Sequence, residues 1–122
     1  MPNTLALWGA GGAATGHFPL LPWLGTQKFV YWGDLDPSGI AILASLRGHF
    51  PGVRSIMMDA ATLVTHADAL GNAKHSSSSI PKERLTPGEV AALAAIENPP
   101  RGIEQEKLLF RECMQTIESA FV

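Results

Sequence analysis

The sequence predicts an α/β protein with a parallel sheet of about three to four strands, flanking helices and a helical C-terminus. Short apolar runs that stop at glycine or aspartate alternate with segments of helical periodicity, and a long amphipathic segment ends the chain. Apolar strands that alternate with helices are typical of a parallel sheet that is covered on both faces. A chain of 122 residues fits one domain, so residues 1–122 are expected to form a single domain.

The N-terminal region predicts a strand, a glycine-rich turn and no long helix. Residues 4–8 are apolar and are expected to form a buried strand. Residues 9–14 fit a dinucleotide-binding fingerprint, but that motif needs a helix N-terminus that faces the pyrophosphate. Pro19 and Pro22 limit residues 17–24 to one or two helical turns, because proline lacks a backbone donor and clashes inside a helix. The glycines therefore indicate a close approach of backbones.

The central region predicts two strand–helix units. Residues 28–33 carry β-branched and aromatic side chains and form the clearest strand. Pro37 suits the first position of the helix that follows, and Pro51 ends that helix. A third strand is predicted over residues 53–58, and a short helix over residues 60–70.

The C-terminal region predicts a loop and two helices. Residues 71–84 are rich in serine and are expected to form a flexible loop. Thr86 and Glu89 have the spacing of a capping box, which opens a helix that runs to about Glu97. A final amphipathic helix is predicted over residues 102–121.

Asp34 and Asp36 are the strongest candidates for a functional site. They lie two residues apart at the end of an apolar strand, so their side chains share one side of it. The carboxyl ends of parallel strands are where α/β sheets hold their sites. Two carboxylates that converge favour a hard cation, Mg²⁺ or Mn²⁺, and we expect them in a cleft. The alternative is that Asp36 only caps the next helix and Asp34 is a solvated strand end.

Two other motifs overlap this segment. The spacing from Asp34 to Gly39 starts like an EF-hand loop, but Ser45 stands at the twelfth position, where that loop needs glutamate. The segment also resembles the haloacid-dehalogenase phosphatases, in which the first aspartate is a nucleophile. Pro37 follows the acidic pair here, where that family has glycine, and its later lysine and acidic pair are not evident. A phosphatase with Asp34 as nucleophile remains an alternative.

Glu104 and Glu106 form a second acidic pair within the predicted final helix. At 3.6 residues per turn they point about 200° apart, so one helix cannot direct both at a single ion. The apolar stripe of this helix is formed by Ile103, Phe110, Ile117 and Phe121. It predicts that Glu106 is drawn inward and Glu104 is not, and a buried carboxylate needs a partner. Arg54 or Arg101 is the candidate partner.

The charge and the composition narrow the classes of function. The net charge of −2 gives no general attraction for nucleic acid, so contacts with phosphates would need a local patch such as Lys74, Lys82 and Arg84. The single cysteine, Cys113, excludes an internal disulfide and a cysteine-based zinc site. No apolar run approaches the ~20 residues that cross a bilayer, so we expect a cytoplasmic protein without membrane contact.

The segment from Tyr31 to Ile40, YWGDLDPSGI, is specific enough to indicate a protein family. It resembles the C-terminal Toprim domain of the JetD subunit family of bacterial Wadjet anti-plasmid systems, which is similar in turn to the A subunit of type IIB topoisomerases. Further matches follow in family order: Gly39, Ile42, Leu43, Leu46, Arg47, Val53, Arg54, Ser55, Met58, Asp59, Thr62, Leu63, Arg84, Leu85, Thr86, Glu89, Glu104, Gln105 and Glu106.

The resemblance implies a Toprim fold and metal-dependent DNA cleavage, with Asp34 and Asp36 as ligands of Mg²⁺ or Mn²⁺. It implies that Glu106 and Glu104 belong to the site or support it. The implied partners are double-stranded DNA, the other Wadjet subunits and a possible second copy of the chain. A non-catalytic module that binds partner subunits through the same fold is the rival interpretation.

One departure from the family pattern concerns its catalytic glutamate. Toprim domains carry this residue on a strand that precedes the glycine-rich segment, whereas the first glutamate here is Glu83. We therefore expect an N-terminally truncated domain that has no useful nuclease activity as an isolated chain.

Overall fold

A computed structural model describes residues 3–7, 9, 11–76 and 79–121 of the protein. The α-helices in these residues are α1 (Ala14–His17), α2 (Pro37–His49), α3 (Ala60–Thr65), α4 (Pro87–Ile96) and α5 (Phe110–Ala120). The strands are β1 (Val30–Tyr31), β2 (Arg54–Ser55), β3 (Gly71–Asn72) and β4 (Arg101–Gly102). Turns of 3₁₀ helix span Gly11–Ala13, Phe18–Leu20, Pro22–Thr26, Ala67–Ala69, Lys82–Arg84 and Gln105–Lys107. None of the described helices is both long and apolar enough to cross a membrane.

The strands form two small sheets. β1 pairs with β2 in parallel, and β3 pairs with β4 in antiparallel orientation. Two backbone hydrogen bonds between Leu35 and Ile103, with N–O distances of 2.9 and 3.0 Å, connect the end of β1 to the end of β4. The predicted mixture of helices and strands is confirmed. A parallel sheet of three to four strands is not seen, since only one strand pair of the described chain is parallel.

The N-terminal apolar run does not form the predicted buried strand. Residues 4–7 have no regular secondary structure, and Leu5 and Leu7 are 68% and 41% exposed. Trp8, the last residue of that prediction, lies outside the described residues. A short apolar run becomes a strand only where a neighbouring strand satisfies its backbone groups. The prediction of short helical turns within residues 17–24 is confirmed by the 3₁₀ turns Phe18–Leu20 and Pro22–Thr26.

The final helix starts eight residues later than predicted, at Phe110 rather than at residue 102. Arg101 and Gly102 are in β4 instead, and Ile103 is only 1% exposed because it pairs with Leu35 in the core. Phe110, which the predicted helix placed on its apolar face, is 78% exposed. Backbone pairing with a distant segment therefore overrides the local helical pattern before residue 110.

Helix α2 packs at the centre of the core. Asp36 is its N-cap residue and Pro37 occupies its first turn, as predicted. The helix ends at His49, before Pro51, and its buried side chains meet α4 and the strands. The core cluster consists of Leu24, Leu35, Ile40, Leu43, Leu46, Phe50, Val53, Met58, Ala92, Leu93, Ile96, Ile103, Leu108 and Cys113.

Side chains also cap the starts of α3 and α4. The Asp59 carboxylate accepts a hydrogen bond of 3.0 Å from the Thr62 N–H at the start of α3. Thr86 and Glu89 form the predicted capping box of α4. Within the range 71–84, which is predicted as a loop, the described residues include β3 and the 3₁₀ turn Lys82–Arg84.

Candidate functional site

The acidic pair lies where the chain leaves β1 and enters α2. Leu35, between the two acids, is 1% exposed and points into the core. Asp34 is exposed and Asp36 is half-buried. The alternation along an extended chain thus turns both carboxylates away from the core, as the spacing of two predicts.

Main-chain N–H groups hold both carboxylates, and they come from two different segments. Asp36 Oδ1 accepts a hydrogen bond of 2.7 Å from the Gly39 N–H, in the first turn of α2. Asp34 Oδ1 accepts one of 2.8 Å from the Gln105 N–H, which lies 71 residues along the chain. No other donor among the described residues binds Asp34, so its second oxygen is available to a ligand.

The charge of Asp34 and the burial of the turn raise the pKa of the neighbouring acidic groups. Burial raises the pKa of Asp36, the N–H groups of Gly39 and Ser38 oppose that shift, and the negative charge of Asp34 adds to it. Burial also raises the pKa of the Tyr31 phenol, and the charges of Asp36 and Asp34 reinforce that shift. This small region therefore concentrates negative charge, which a cation would neutralise.

The turn that forms the pair depends on glycine. The Tyr31 hydroxyl donates a hydrogen bond of 3.1 Å to the Gly39 carbonyl and so connects β1 to the first turn of α2. A methyl group at Gly39 would overlap the backbone carbonyl oxygen of Asp34. Glycine is therefore needed at position 39 for α2 to start close to Asp34.

The structure corrects the prediction for the second acidic pair. Glu104 and Glu106 are both exposed, and Glu106 is not drawn inward. The Glu104 side chain is 67% exposed and lies 3.8 Å from the Lys107 ammonium. The cause is the missing first part of the predicted helix, since residues 102–107 form an extended segment and a 3₁₀ turn. Both acids nevertheless flank Gln105, whose N–H binds Asp34.

The arginines proposed as partners of Glu106 bind backbone carbonyls instead. Arg54 Nη1 lies 3.4 Å from the Ala120 carbonyl oxygen, and Arg101 Nη2 lies 3.1 Å from that of Ala95. The predicted pairing of either arginine with Glu106 is therefore wrong.

The acidic residues do not form a complete metal centre by themselves. Among the described residues, no group of three or more histidine, cysteine, aspartate or glutamate side chains is placed to hold one ion. Two cavities of the described chain, of about 800 and 180 Å³, are lined by other residues, so neither gives the acidic pair the expected cleft. The arrangement offers two oxygen ligands on an open surface, which suits a hydrated hard cation.

Of the three candidate phosphate-binding cations, only Lys74 makes no contact of its own. Lys82 lies 3.8 Å from the Glu97 carboxylate. Arg84 lies across α2, where its Nη1 is 3.3 Å from the Ala44 carbonyl oxygen. Lys74 is exposed and has no hydrogen bond or ion pair with any described residue.

A buried ionic network was not anticipated from the sequence. The Glu89 carboxylate is held by the Arg47 guanidinium and the Ser55 hydroxyl, and it accepts a bond of 2.8 Å from the Thr86 N–H. Glu89 was predicted only as part of the capping box. The available signal was Arg47, a charged residue that follows Ile40 and Leu43 at the spacing of the buried face of α2.

The fold and the site together define a class: a mixed α/β protein that presents two fixed carboxylates at the end of a parallel strand. The family model described as "Wadjet protein JetD, C-terminal" matches residues 1–117 of the 122-residue chain. The chain belongs to this JetD C-terminal family, as the YWGDLDPSGI segment predicts. A search of curated proteins finds no match to the chain.

Proposed function

We propose that this chain is the metal-binding part of a DNA-cleaving component of a Wadjet anti-plasmid system. The observation that carries the proposal is that two main-chain N–H groups, from Gly39 and Gln105, fix the carboxylates of Asp36 and Asp34. Carboxylates that are held before an ion arrives lose less rotational freedom on binding it. Family membership and the resemblance of the same segment to Toprim domains support the nuclease assignment.

The donor set favours Mg²⁺ or Mn²⁺. Asp34 and Asp36 present oxygen atoms, which are the ligands of hard cations, and no described imidazole or thiolate is placed with them to form a larger ligand group. A bound ion would supply charge neutralisation at a phosphate and a more acidic water. The residues of the chain would hold that ion at the edge of β1 and leave its other positions to water and substrate.

Cleavage requires more than this pair provides. Two protein ligands leave a Mg²⁺ ion mostly hydrated. In-line displacement at phosphate requires the attacking and the leaving oxygen to be held at the same time. Glu104 and Glu106 flank Gln105, whose N–H binds Asp34. A rearrangement of this turn would bring one of them to the ion as a further ligand. A partner subunit is the other source of a ligand, and also of positive charge, because the chain carries a net charge of −2.

Calorimetric titration of the 122-residue chain with Mn²⁺ tests the metal site. We expect weak binding to one site, lost when Asp34 and Asp36 are both changed to asparagine. Asp68→Asn is the matched control, since Asp68 is an exposed aspartate in a 3₁₀ turn outside the site. Binding that survives the double substitution would overturn the proposal.

Plasmid cleavage separates the nuclease from the non-catalytic interaction module. We expect the chain alone to leave plasmid DNA intact with Mg²⁺ or Mn²⁺, and cleavage to appear only with the other subunits. The same assay with Asp34→Asn in that assembly should show no cleavage. Full activity of the assembly with this variant would favour the interaction module and reject the nuclease assignment.

A further inference from the structure

The segment that follows α4 runs directly against the acidic pair. We call residues 101–105 the strap. The strap begins as β4, which pairs with β3, and Ile103 then exchanges two backbone hydrogen bonds with Leu35. Two residues further on, the Gln105 N–H binds Asp34. The strap therefore contacts the stretch from Asp34 to Asp36 through Gly102, Ile103 and Gln105.

Gly102 is the closest point of this contact. A methyl group at Gly102 would lie 2.5 Å from Asp36 Cβ and 2.8 Å from the Leu35 carbonyl oxygen. Both atoms belong to or adjoin the backbone, so neither moves aside without moving the acidic pair itself. The absence of a side chain at position 102 thus lets the strap lie against Asp36.

The residue paired with Gly102 provides an internal contrast. Gly71 stands opposite Gly102 in the antiparallel ribbon of β3 and β4. A methyl group at Gly71 would meet no atom within 4 Å. The close approach is therefore a property of β4, the strand that leads to the acidic pair, and not of the whole ribbon.

The ribbon is too small to hold the strap in place alone. β3 and β4 are two residues each, and an isolated pair of short strands is at best marginally stable in water. The strap is therefore held in its closed position by Ile103, which is buried in the core, and by its contacts with residues 34–36. Asp34, in turn, is exposed, and the described residues offer its carboxylate no hydrogen-bond donor besides the Gln105 N–H.

We propose that the strap is a positioning element that regulates the metal pair: its closure orients Asp34 against Asp36, and metal binding in turn stabilises its closure. This inference rests on the proposed metal site. Reciprocity follows from linkage, since a ligand that favours the closed strap must bind more weakly when the strap is open. A partner that binds near residues 71–105 and shifts the strap would therefore change the metal affinity without contacting either aspartate.

Amide hydrogen exchange of the full chain, followed by NMR, measures strap closure directly. We expect saturating Mg²⁺ to slow exchange at Ile103 and Gln105 by about 10-fold or more, with no change at amides of α5. Gly102→Ala should weaken Mg²⁺ binding by about 10-fold or more, whereas Gly71→Ala should leave it within about twofold. Equal affinity of the two glycine variants would overturn the proposal.

A second variant keeps the strap testable if Gly102→Ala fails to fold. Asp34→Ala removes the acceptor of the Gln105 N–H, so exchange at Gln105 should speed up even without metal, while Asp68→Ala should change nothing there. Unchanged exchange at Gln105 in Asp34→Ala would show that Asp34 does not hold the strap, and would overturn the proposal. A third outcome is that the wild type binds no Mg²⁺ while exchange at Gln105 is still faster in Asp34→Ala. That result would reject the metal site and its regulation, and would leave the positioning contact established.

Discussion

Asp36 combines a structural and a proposed functional role in one side chain. Its Oδ1 caps α2 through the Gly39 N–H at 2.7 Å, so the interpretation of Asp36 as a helix cap is correct. Capping uses an acceptor oxygen and does not require a full negative charge. The charge itself is unfavourable here, because burial and the neighbouring Asp34 raise the pKa of Asp36.

Asp36→Asn should therefore separate capping from charge. An acid whose pKa is raised on folding destabilises the folded state at neutral pH, since its stabilising contribution is lost as the pH rises through the folded pKa. Asparagine caps as well as aspartate and carries no charge. We expect a melting temperature at pH 7 equal to or above that of the wild type, together with loss of Mn²⁺ binding. Asp36→Ala, which removes the cap, should cost about 1 kcal/mol.

Thermal unfolding of the wild type and both variants in the absence of metal measures these effects. A melting temperature for Asp36→Asn as low as that of Asp36→Ala would show that the charge itself stabilises α2.

At the scale of elements, the sequence predicted the helices whose ends carry local signals. Asp36 with Pro37, and Thr86 with Glu89, determine where α2 and α4 begin, and these signals lie within four residues of each helix start. β4 had no such signal. Its extended backbone depends on Leu35, which is 68 positions from Ile103 in sequence (103 − 35). Local periodicity cannot reveal a pairing of that range, so the final helix was predicted to start too early.

The same distinction between local signals and long-range contacts explains which features of the candidate site could be predicted. The common side of Asp34 and Asp36 could be predicted because it follows from a spacing of two residues. The placement of Gln105 against Asp34 and the exposure of Glu106 both depend on the strap, which only the three-dimensional structure shows. The partner of Glu89 was missed for the same reason, because Arg47 lies 42 residues away in the chain.

Helix α5 is connected to α3 by a histidine–glutamate contact. His66 is 8% exposed, and its Nε2 lies 2.9 Å from a Glu112 carboxylate oxygen, while its Nδ1 lies 3.2 Å from the Thr62 carbonyl oxygen. Glu112→Ala leaves one nitrogen of the nearly buried ring without its partner. We expect a loss of about 1 kcal/mol of folding free energy, since Glu112 is partly exposed and water compensates in part.

The measurement is urea unfolding, with Glu118→Ala as the control on the same helix at an exposed position. Equal stability of the two variants would show that the contact does not stabilise the docking of α5.

At the scale of the whole molecule, one buried network connects three elements around the core. Arg47 is on α2, Ser55 on β2 and Glu89 on α4, and the Arg47 and Glu89 side chains are 10% and 2% exposed. The Arg47 Nε also donates a bond of 3.0 Å to the Val53 carbonyl. One carboxylate thus joins β2, α2 and α4, far along the chain from the acidic pair.

The final prediction is that acid weakens the whole fold through Glu89. Burial alone would raise the pKa of this carboxyl, but the hydrogen bonds from Arg47, Ser55 and the Thr86 N–H, with the charge of Arg47, lower it. A lowered folded pKa gives stability that is fully present above the unfolded value of about 4.3 and is lost as the pH falls through the folded value. Urea unfolding of the wild type should therefore show falling stability below about pH 4.

Glu89→Gln tests this at neutral pH. It leaves the Arg47 charge buried without its counterion, which costs about 3–5 kcal/mol, and it removes the contribution of Glu89 to the acid dependence. Arg47→Met combined with Glu89→Leu removes both charges and should recover part of that loss. The recovery is incomplete because the Ser55 hydroxyl, the Thr86 N–H and the Val53 carbonyl lose their partners. If Glu89→Gln were as stable as the wild type at pH 7, the three elements would be held together by the apolar core alone.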